Sequence, residues 1–296
     1  MSVLITGSSG FIGSRLARML VSHNIEVELF DVVDGKDICN IDTVRKSVAG
    51  KETVFHLAAV ADVNEAKKHP LRTLATNVKG TWNMAMACME YDVDMFFAST
   101  CAVYGNQKRH PVSELSTPNP AELYASSKLA GEDVVRGFHN TYGLPYNIMR
   151  FATVYGEGTK PSLGTHILMG QAIRGEPITV HGDGKQTRAL TYILDIVDGI
   201  TALYESGRIN STWNIATDEE VSALRMAQDI KKITGSKSEI IFVPQRTGQT
   251  FKESIATAKM EAEVGWSANT SWNDGLLRMY EWFRSTNQVS NKYDIV

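Results

Sequence analysis

The sequence predicts an α/β protein built around a doubly wound parallel sheet, and two observations carry that prediction. Strand-like runs alternate with helical runs through the first half of the 296-residue chain, and the strand-like runs are apolar throughout. This order and composition are typical of a parallel sheet with helices on both faces. The predicted strands span residues 3–5, 25–30, 53–57, 95–98 and 146–151.

The predicted helices depend on apolar residues that recur at helical spacing. In the first helix, over residues 11–21, Phe11, Leu16 and Leu20 fall on one side. Glycine and proline residues interrupt the pattern after Gly156, which indicates a change of organisation there. The further predicted helices span residues 41–48, 70–90, 122–142, 165–174, 192–206, 222–234, 257–264 and 272–285.

Composition and charge exclude several classes of protein. The net charge of −3 and the pI of about 6.2 predict no nucleic-acid partner, since such a partner requires a basic surface. No apolar run approaches the ~20 residues of a membrane-spanning helix, so we expect no membrane partner. Cys39, Cys88 and Cys101 have no CxxC spacing and the histidines do not cluster, which predicts a cytoplasmic location and no metal site.

A glycine-rich loop lies between the first predicted strand and the first predicted helix. Gly7, Gly10 and Gly13 form a G-x-x-G-x-x-G pattern, and Phe11 and Ile12 open the helix. Glycines at these positions let the backbone turn tightly and approach a pyrophosphate, which the free N–H groups of the helix N-terminus then bind. Because the loop follows a strand and precedes a helix, it predicts a dinucleotide site of the Rossmann type.

Asp31 ends the second predicted strand and bears on the choice of cofactor. A carboxylate at this position accepts hydrogen bonds from the hydroxyls of an adenosine ribose and repels a 2′-phosphate, which favours NAD over NADP. The alternative is that Asp31 is only a turn residue at the end of a strand. Asp37 and Ile38 follow in the next loop, where we expect them to reach the adenine.

The ends of later strands supply further candidate cofactor contacts, because open α/β sheets bind ligands at the carboxyl ends of their strands. Leu57, Ala58 and Ala59 follow the third strand, although core packing explains the two alanines nearly as well. Asn77 lies in the helix predicted over residues 70–90. It is either a polar residue on the helix surface or a strut that bonds to the loop after the fourth strand.

Tyr124 and Lys128 are four residues apart on a predicted helix, so their side chains share one face. A free tyrosine has a pKa of about 10 and is a poor base at neutral pH, but a neighbouring ammonium group lowers that pKa. On spacing alone, an ordinary surface pair is the simpler interpretation. Ser99 and Thr100 reverse this, because they end the fourth strand at the same sheet edge and can hydrogen-bond a reacting alcohol. By themselves they would be a turn or a helix cap.

Several motifs together resemble a known family. They are Gly7-x-x-Gly10-x-x-Gly13, Asp31, Leu57-Ala58-Ala59, Asn77, Ser99-Thr100-x-x-Val103-Tyr104-Gly105, Tyr124-x-x-x-Lys128, Arg150-Phe151-Ala152-Thr153-Val154-Tyr155-Gly156, the segment from Gly175 to Arg188, Trp213-Asn214-Ile215-Ala216 and Gly265-Trp266. The sequence resembles the extended short-chain dehydrogenase/reductases, and among them the NAD-dependent sugar epimerase/dehydratase family of the UDP-glucose 4-epimerase type. The resemblance covers the chain through about residue 280.

The resemblance implies a catalytic role for three residues. Tyr124 is the acid/base that takes the proton of a sugar hydroxyl, Lys128 tunes it and binds the cofactor ribose, and Thr100 hydrogen-bonds the sugar oxygen. Arg188 stands where the family contacts the nucleotide diphosphate, a role that suits the guanidinium fork. The cofactor contacts that the resemblance adds or supports are Asn77, Ser99, Tyr124, Lys128 and Phe151.

Three departures from the family pattern bear on the substrate. Dehydratases carry an Asp-Glu pair directly after the strand-4 Thr, where this chain has Cys101 and Ala102, so dehydration is disfavoured. Thr153 takes the place of a common Asn that binds substrate phosphate, and its hydroxyl has a shorter reach. Ala189 and Leu194 replace residues that are usually polar.

The resemblance therefore implies an NAD-dependent nucleotide-sugar 4-epimerase. Such an enzyme oxidises UDP-glucose, UDP-galactose or their N-acetylated equivalents transiently to a 4-keto sugar. The first alternative is a net NAD-dependent dehydrogenase or reductase of a sugar or small alcohol. The second is a non-catalytic NAD-binding regulatory protein, which we would expect to have lost Tyr124 or Lys128.

The same reasoning predicts how the chain is organised. We expect residues 1–153, with about 190–216 returning, to form an NAD-binding Rossmann domain. Residues of about 154–189 and 217–296 should form a smaller mixed α/β substrate domain. The resemblance implies a homodimer formed through the helices predicted over 70–90 and 122–142. These helices have room for an exposed apolar stripe, although their apolar residues could equally be core, namely Met84, Met86, Met89, Val134 and Val135.

Overall fold

The computed structural model describes residues 2–245 and 251–286. Its strands are β1 (Ser2–Thr6), β2 (Glu26–Phe30), β3 (Thr53–His56), β4 (Asp94–Thr100), β5 (Tyr146–Phe151), β6 (Thr153–Tyr155), β7 (Ile178–His181), β8 (Thr187–Tyr192), β9 (Ser211–Ile215), β10 (Glu220–Ser222) and β11 (Ile240–Val243). Its α-helices are α1 (Gly13–Ser22), α2 (Ile41–Val48), α3 (Val63–Lys68), α4 (Pro70–Leu74), α5 (Thr81–Tyr91), α6 (Leu123–Tyr142), α7 (Gly164–Arg174), α8 (Ile193–Glu205), α9 (Ala223–Thr234), α10 (Ala258–Val264) and α11 (Trp272–Ser285).

Six strands form the central sheet, in the order β2-β1-β3-β4-β5-β9, and every neighbouring pair is parallel. The predicted α/β class with a doubly wound parallel sheet is thereby confirmed. The chain moves from β1 to β2 in one direction and from β3 to β9 in the other, so the strand order reverses between β1 and β3. Open α/β sheets bind their ligands outside the carboxyl ends of the strands at such a reversal.

Apolar side chains cover both faces of the central sheet. Val3, Leu4 and Ile5 of β1 have no exposed surface. Because successive strand residues point to opposite faces, Val3 and Ile5 pack with residues of α1 and α8, whereas Leu4 packs with residues of α2, α5 and α6. Burial on both faces explains why these strands are apolar throughout, and it leaves the carboxyl edge of the sheet for ligands.

The helix predicted over residues 70–90 is confirmed in extent, but it is not a regular α-helix throughout. A π-helical segment, Ala75–Gly80, separates α4 from α5. Its wider i→i+5 turn rotates the following side chains relative to a regular helix. Within this segment Asn77 is fully buried, and a Cβ added to Gly80 would lie 2.5 Å from the Ile38 side chain.

The second half of the chain forms smaller sheets with their own apolar core. Strands β10, β8 and β6 form one sheet, and β11 pairs with β7. Side chains of α7, α9 and α11 pack on these strands around Tyr192 and Trp272. Strand β9 and helix α8 instead belong to the central sheet and to one of its covering layers. The division into an NAD-binding domain and a substrate domain stays a prediction.

Two further findings concern membrane spans and metal sites. No helix in the described part of the chain has the length and apolar character needed to cross a bilayer. Across residues 2–245 and 251–286, no three or more histidine, cysteine, aspartate and glutamate side chains are grouped so that they could hold a metal ion.

Candidate active site

A cleft of about 1730 Å³ opens at the carboxyl edge of the central sheet. It gathers residues at the carboxyl ends of β1 to β5 and residues of the smaller sheets, although these residues lie far apart in the sequence. The sequence-predicted residues that line it are Gly7, Gly10, Phe11, Ile12, Gly13, Asp31, Asp37, Ile38, Leu57, Ala58, Ala59, Ser99, Thr100, Tyr124, Lys128, Phe151, Thr153 and Arg188. Asn77 is the one predicted site residue that does not line it.

The glycine loop leaves no room for a side chain at Gly7 or at Gly13. Gly7 has a φ of +70°, and its added Cβ would lie 2.8 Å from the backbone nitrogen of Ala58. A Cβ added to Gly13 would lie 2.2 Å from the carbonyl oxygen of Gly7. Helix α1 begins at Gly13, and Gly10 to Gly13 line the cleft, so the positive end of the helix dipole lies beside this space. The loop therefore fits a pyrophosphate, as predicted for a dinucleotide.

Asp31 joins the glycine loop to the end of β2. Its Oδ2 accepts the backbone N–H of Ser9 at 2.9 Å, and its Oδ1 accepts that of Val33 at 3.2 Å. The carboxylate is half-buried and lines the cleft, and each oxygen has a second lone pair for a ribose hydroxyl. These residues fit the adenosine half of NAD, and the negative charge opposes a 2′-phosphate.

Tyr124 stands in the first turn of α6. Glu122 caps this helix, since its carboxylate accepts the backbone N–H groups of Tyr124 and Ala125 at 2.9 and 2.8 Å. Burial, reinforced by the charge of Glu122, raises the pKa of the Tyr124 hydroxyl to about 12, while a hydrogen bond with Thr100 opposes that rise. Tyr124 and Thr100 therefore meet in the cleft, although 23 residues lie between them.

Lys128 lies one turn further along α6 and is almost completely buried, with 3% of its surface exposed. Its Nζ lies 4.3 Å from the centroid of the Phe97 ring. Burial lowers the pKa of Lys128 to about 7, against the opposing effect of Glu132. Because the pKa of Lys128 lies near neutral pH, a neighbouring charge changes the fraction of this amine that is protonated.

Sequence reasoning missed a buried ion pair beneath the cleft. Arg150 on β5 donates two hydrogen bonds to Glu132 on α6, and Glu132 is fully buried. Ser99 also donates its hydroxyl to Glu132, at 2.6 Å. The predicted cofactor contact Ser99 thus lines the cleft with its hydroxyl committed to Glu132. The sequence contained one indication of this acid, because Glu132 lies four residues after Lys128 and therefore on the same face of α6.

Asn77 is a strut, and its predicted role as a cofactor contact is not what the geometry shows. Its Oδ1 accepts the backbone N–H of Val60 at 2.8 Å, and its Nδ2 donates to the Val60 carbonyl at 3.0 Å and to Ser127 Oγ at 2.9 Å. The strut joins the loop after β3 to α6, not the loop after the fourth strand. Asn77 therefore positions the cleft wall from behind.

Thr153 and Arg188, the two predicted phosphate contacts, both face an acid that sequence reasoning missed. Thr153 donates its backbone N–H to Glu253 Oε1 at 3.0 Å, and its hydroxyl lies 3.2 Å from both carboxylate oxygens. Arg188 Nε lies 3.8 Å from Glu253 Oε2. In this structure the Thr153 hydroxyl is thus taken by Glu253 and is not free for a phosphate.

The positions that depart from the family pattern carry no acid–base group. Cys101 is buried, its thiol donates to the Arg150 carbonyl at 3.4 Å, and burial raises its pKa. Ala189 is fully buried in the apolar cluster that contains Cys101, whereas Leu194 is 42% exposed. The space beside Thr100 therefore has no acid–base group at positions 101 and 102.

A family model supplies the classification once this geometry is known. The model for the NAD dependent epimerase/dehydratase family matches residues 3–216. The chain belongs to this family. Membership confirms the family and the enzyme class predicted from the sequence, an NAD-dependent epimerase of the extended short-chain dehydrogenase/reductase type. It also agrees with the cleft, whose glycine loop and Asp31 fit NAD.

Similarity to individual proteins extends over nearly the whole chain. UDP-glucose 4-epimerase of Thermotoga maritima, solved with UDP-glucose, has a TM-score of 0.92 and 29% identity, and the match covers 97% of this chain and 100% of that one. UDP-glucuronic acid 4-epimerase of Bacillus cereus, solved with UDP-glucuronic acid and NAD, has a TM-score of 0.91 and 28% identity, over 96% and 99%. An uncharacterized UDP-glucose epimerase of Bacillus subtilis strain 168 is 31% identical, over 93% of this chain and 96% of that protein.

Proposed function

We propose that this epimerase-family protein is a nucleotide-sugar 4-epimerase that acts on UDP-glucose, UDP-galactose or their N-acetylated equivalents. The observation that carries the proposal is the meeting of Tyr124 and Thr100 in the cleft that the glycine loop and Asp31 also line. Relatives that act on UDP-sugars, by their names, support a nucleotide sugar as substrate.

The proposed reaction needs a base that takes a hydroxyl proton and later returns it. Tyr124 performs this role, and the Thr100 hydroxyl holds the sugar oxygen beside it. Because the pKa of Tyr124 is about 12 without a ligand, a positive charge must favour the phenolate at neutral pH. Lys128, on the same helix face, is the cation that the chain supplies. NAD, when bound, supplies a reversible hydride acceptor for the sugar carbon.

Epimerisation is favoured over dehydration because positions 101 and 102 lack the Asp-Glu pair that removes water in dehydratases. Elimination of a hydroxyl next to the oxidised carbon requires a general acid beside Thr100. Cys101 and Ala102 follow Thr100, and the Cys101 thiol is buried with its pKa raised. The bond that Tyr124 and NAD can break and re-form is therefore the carbon–hydrogen bond of the oxidised carbon.

The test is to incubate the purified protein with UDP-glucose and with UDP-galactose and to separate the nucleotide sugars by chromatography. We expect interconversion of the two sugars without net change in nicotinamide absorbance, since the hydride is returned in each cycle. Steady accumulation of NADH with a sugar or small alcohol would instead establish a net dehydrogenase. NAD binding without any turnover would favour a regulatory protein.

We also propose that the protein is a homodimer formed through α5 and α6. Trp82 on α5 is 52% exposed, and its ring lies 5.1 Å from that of Phe138 on α6. Tyr142 extends this aromatic surface and is 62% exposed. Sedimentation equilibrium tests the proposal, because Trp82→Glu should shift a dimer towards the monomer. The cytoplasmic location stays a prediction from the cysteine pattern.

A further inference from the structure

Glu253 is a cleft residue that the proposed mechanism does not use. It follows Lys252, whose backbone bridges to Thr187 of β8, and it comes two residues before Ile255, which bridges to Val112. Its side chain is only 13% exposed, yet it lines the cleft. A carboxylate therefore stands in the wall of a site that has to accept a nucleotide diphosphate.

Strand register places this carboxylate close to the reacting groups. Thr100 of β4 pairs with Phe151 of β5, and Thr153 follows Phe151 by two residues. Two residues of extended chain span roughly 7 Å. Glu253 accepts hydrogen bonds from Thr153, and its charge contributes to raising the pKa of the Cys101 thiol next to Thr100. A hexose held by Tyr124 and Thr100 would thus present one side to Glu253.

The surroundings of Glu253 make the cleft unfavourable for a second anion at this point. Burial raises the pKa of Glu253, while Arg188 and the hydrogen bonds from Thr153 oppose that rise. Arg188 pairs with this carboxylate, since its Nε lies 3.8 Å from Glu253 Oε2. A carboxylate on the sugar would face like charge in a partly desolvated site, and like charges placed together are strongly disfavoured there.

Resting on the proposed 4-epimerase function, we propose that Glu253 is a specificity-determining residue that restricts the substrate to nucleotide sugars with an uncharged sugar ring. Its carboxylate accepts a hydrogen bond from a hydroxyl or amide N–H of the sugar and repels the carboxylate of a uronic acid sugar. The chain would therefore differ in specificity from the similar Bacillus cereus protein, which was solved with UDP-glucuronic acid.

The test compares UDP-glucose with UDP-glucuronic acid by titration calorimetry and by turnover, in the wild type, in Glu253→Gln and in a matched control. The control is Glu219→Gln, because Glu219 pairs with Arg225 at 2.8 Å and neither residue lines the cleft. We expect the wild type to bind UDP-glucose at least about tenfold more tightly, a difference of about 1.4 kcal/mol. Glu253→Gln should reduce that ratio about tenfold, whereas Glu219→Gln should leave it unchanged.

Different experimental results would contradict the role of Glu253 in substrate specificity and the proposed epimerase function. Equal affinity of the wild type for the two sugars would overturn the role of Glu253, even if UDP-glucose is epimerised. An unchanged affinity ratio in a folded Glu253→Gln protein would do the same. Failure of the wild type to bind either UDP-sugar would instead overturn the proposed function. If Glu253→Gln does not fold, the affinities of the wild type for UDP-glucose and UDP-glucuronic acid still test the role of Glu253.

Discussion

Arg150 Nη2 lies 2.6 Å from Glu132 Oε2, in an ion pair buried directly behind the carboxyl ends of β4 and β5. Glu132 also accepts a hydrogen bond from Ser99, which precedes Thr100, and it follows Lys128 by one helical turn. Glu132 thus joins β4 and α6, the two elements that carry the proposed catalytic residues, to Arg150 of β5. Arg150 further lies over the Tyr104 ring, with its Cζ 4.7 Å from the centroid.

The first prediction concerns this ion pair. Glu132→Gln leaves the Arg150 charge buried without its counterion, and loss of one partner from a buried pair costs about 3–5 kcal/mol. We expect the free energy of unfolding, measured by urea denaturation, to fall by that amount. The exposed His23–Glu205 pair provides the control, because Glu205→Gln should cost less than about 1 kcal/mol. Equal losses in the two variants would contradict the buried role.

The second prediction concerns Tyr124. Tyr124→Phe removes the hydroxyl that transfers the proton, so we expect turnover of a UDP-sugar to fall about 10²–10⁴-fold. NAD binding, followed by fluorescence, should persist, because the glycine loop and Asp31 are untouched. Tyr280→Phe on α11, outside the cleft, serves as the control and should keep full turnover. Undiminished turnover in Tyr124→Phe would rule out the mechanism.

The third prediction compares two glycines in helices. Gly13→Ala places a Cβ 2.2 Å from the Gly7 carbonyl oxygen, so the loop must open and NAD affinity should fall at least about tenfold. Gly137→Ala on α6 has no atom within 4 Å of its Cβ. It should leave NAD affinity unchanged and stabilise the protein by about 0.5–1 kcal/mol, since alanine favours a helix. Calorimetric titration with NAD and urea denaturation measure the two effects, and normal NAD affinity in Gly13→Ala would contradict the proposed loop function.

The fourth prediction concerns cofactor choice. Asp31→Ser removes the carboxylate that opposes a 2′-phosphate, so the ratio of NAD to NADP affinity should fall at least about tenfold. The ratio is the measurement because Asp31 also holds Ser9, and loss of that bond weakens both cofactors equally. Asp34→Ser, at an exposed position outside the cleft, should leave the ratio unchanged. A constant ratio in Asp31→Ser would show that another group selects the cofactor.

The fifth prediction concerns the dependence of stability on pH. Because the pKa of Lys128 is about 7 in the folded protein and about 10.4 for a solvated lysine, the unfolded chain binds more protons between these pH values. The free energy of unfolding contributed by Lys128 therefore rises with pH across this window. Lys128→Met should be more stable than the wild type at pH 6 by more than about 1 kcal/mol, and this advantage should shrink towards pH 10.

Urea denaturation from pH 6 to pH 10 measures this difference. Lys185→Met provides the control, because the Lys185 side chain is 78% exposed and should give no pH-dependent difference from the wild type. A constant stability difference between Lys128→Met and the wild type across the range would mean that Lys128 keeps an ordinary pKa in the folded protein.

Local patterns in the sequence were sufficient for the sheet and for the cofactor half of the site. The strands of the central sheet are apolar because both faces of the sheet are covered. The sequence therefore predicts them as continuous apolar runs. Gly7 has a positive φ in its own loop, a Cβ on Gly13 would meet the Gly7 carbonyl oxygen, and Asp31 ends the adjacent strand. Tyr124 and Lys128 share a helix face at a fixed spacing. Each of these features depends on residues that are close in sequence.

Only the tertiary structure decided which polar and charged side chains that are distant in the sequence contact each other. Glu253 comes 100 residues after Thr153, Arg150 18 residues after Glu132, and Asn77 50 residues before Ser127. No periodicity predicts such pairs, because they depend on how β5, α6 and the segment around 253 pack together. The sequence by itself determined the fold class and the Tyr124–Lys128 pair, whereas packing decided that Thr153 faces an acid and that Asn77 is a strut.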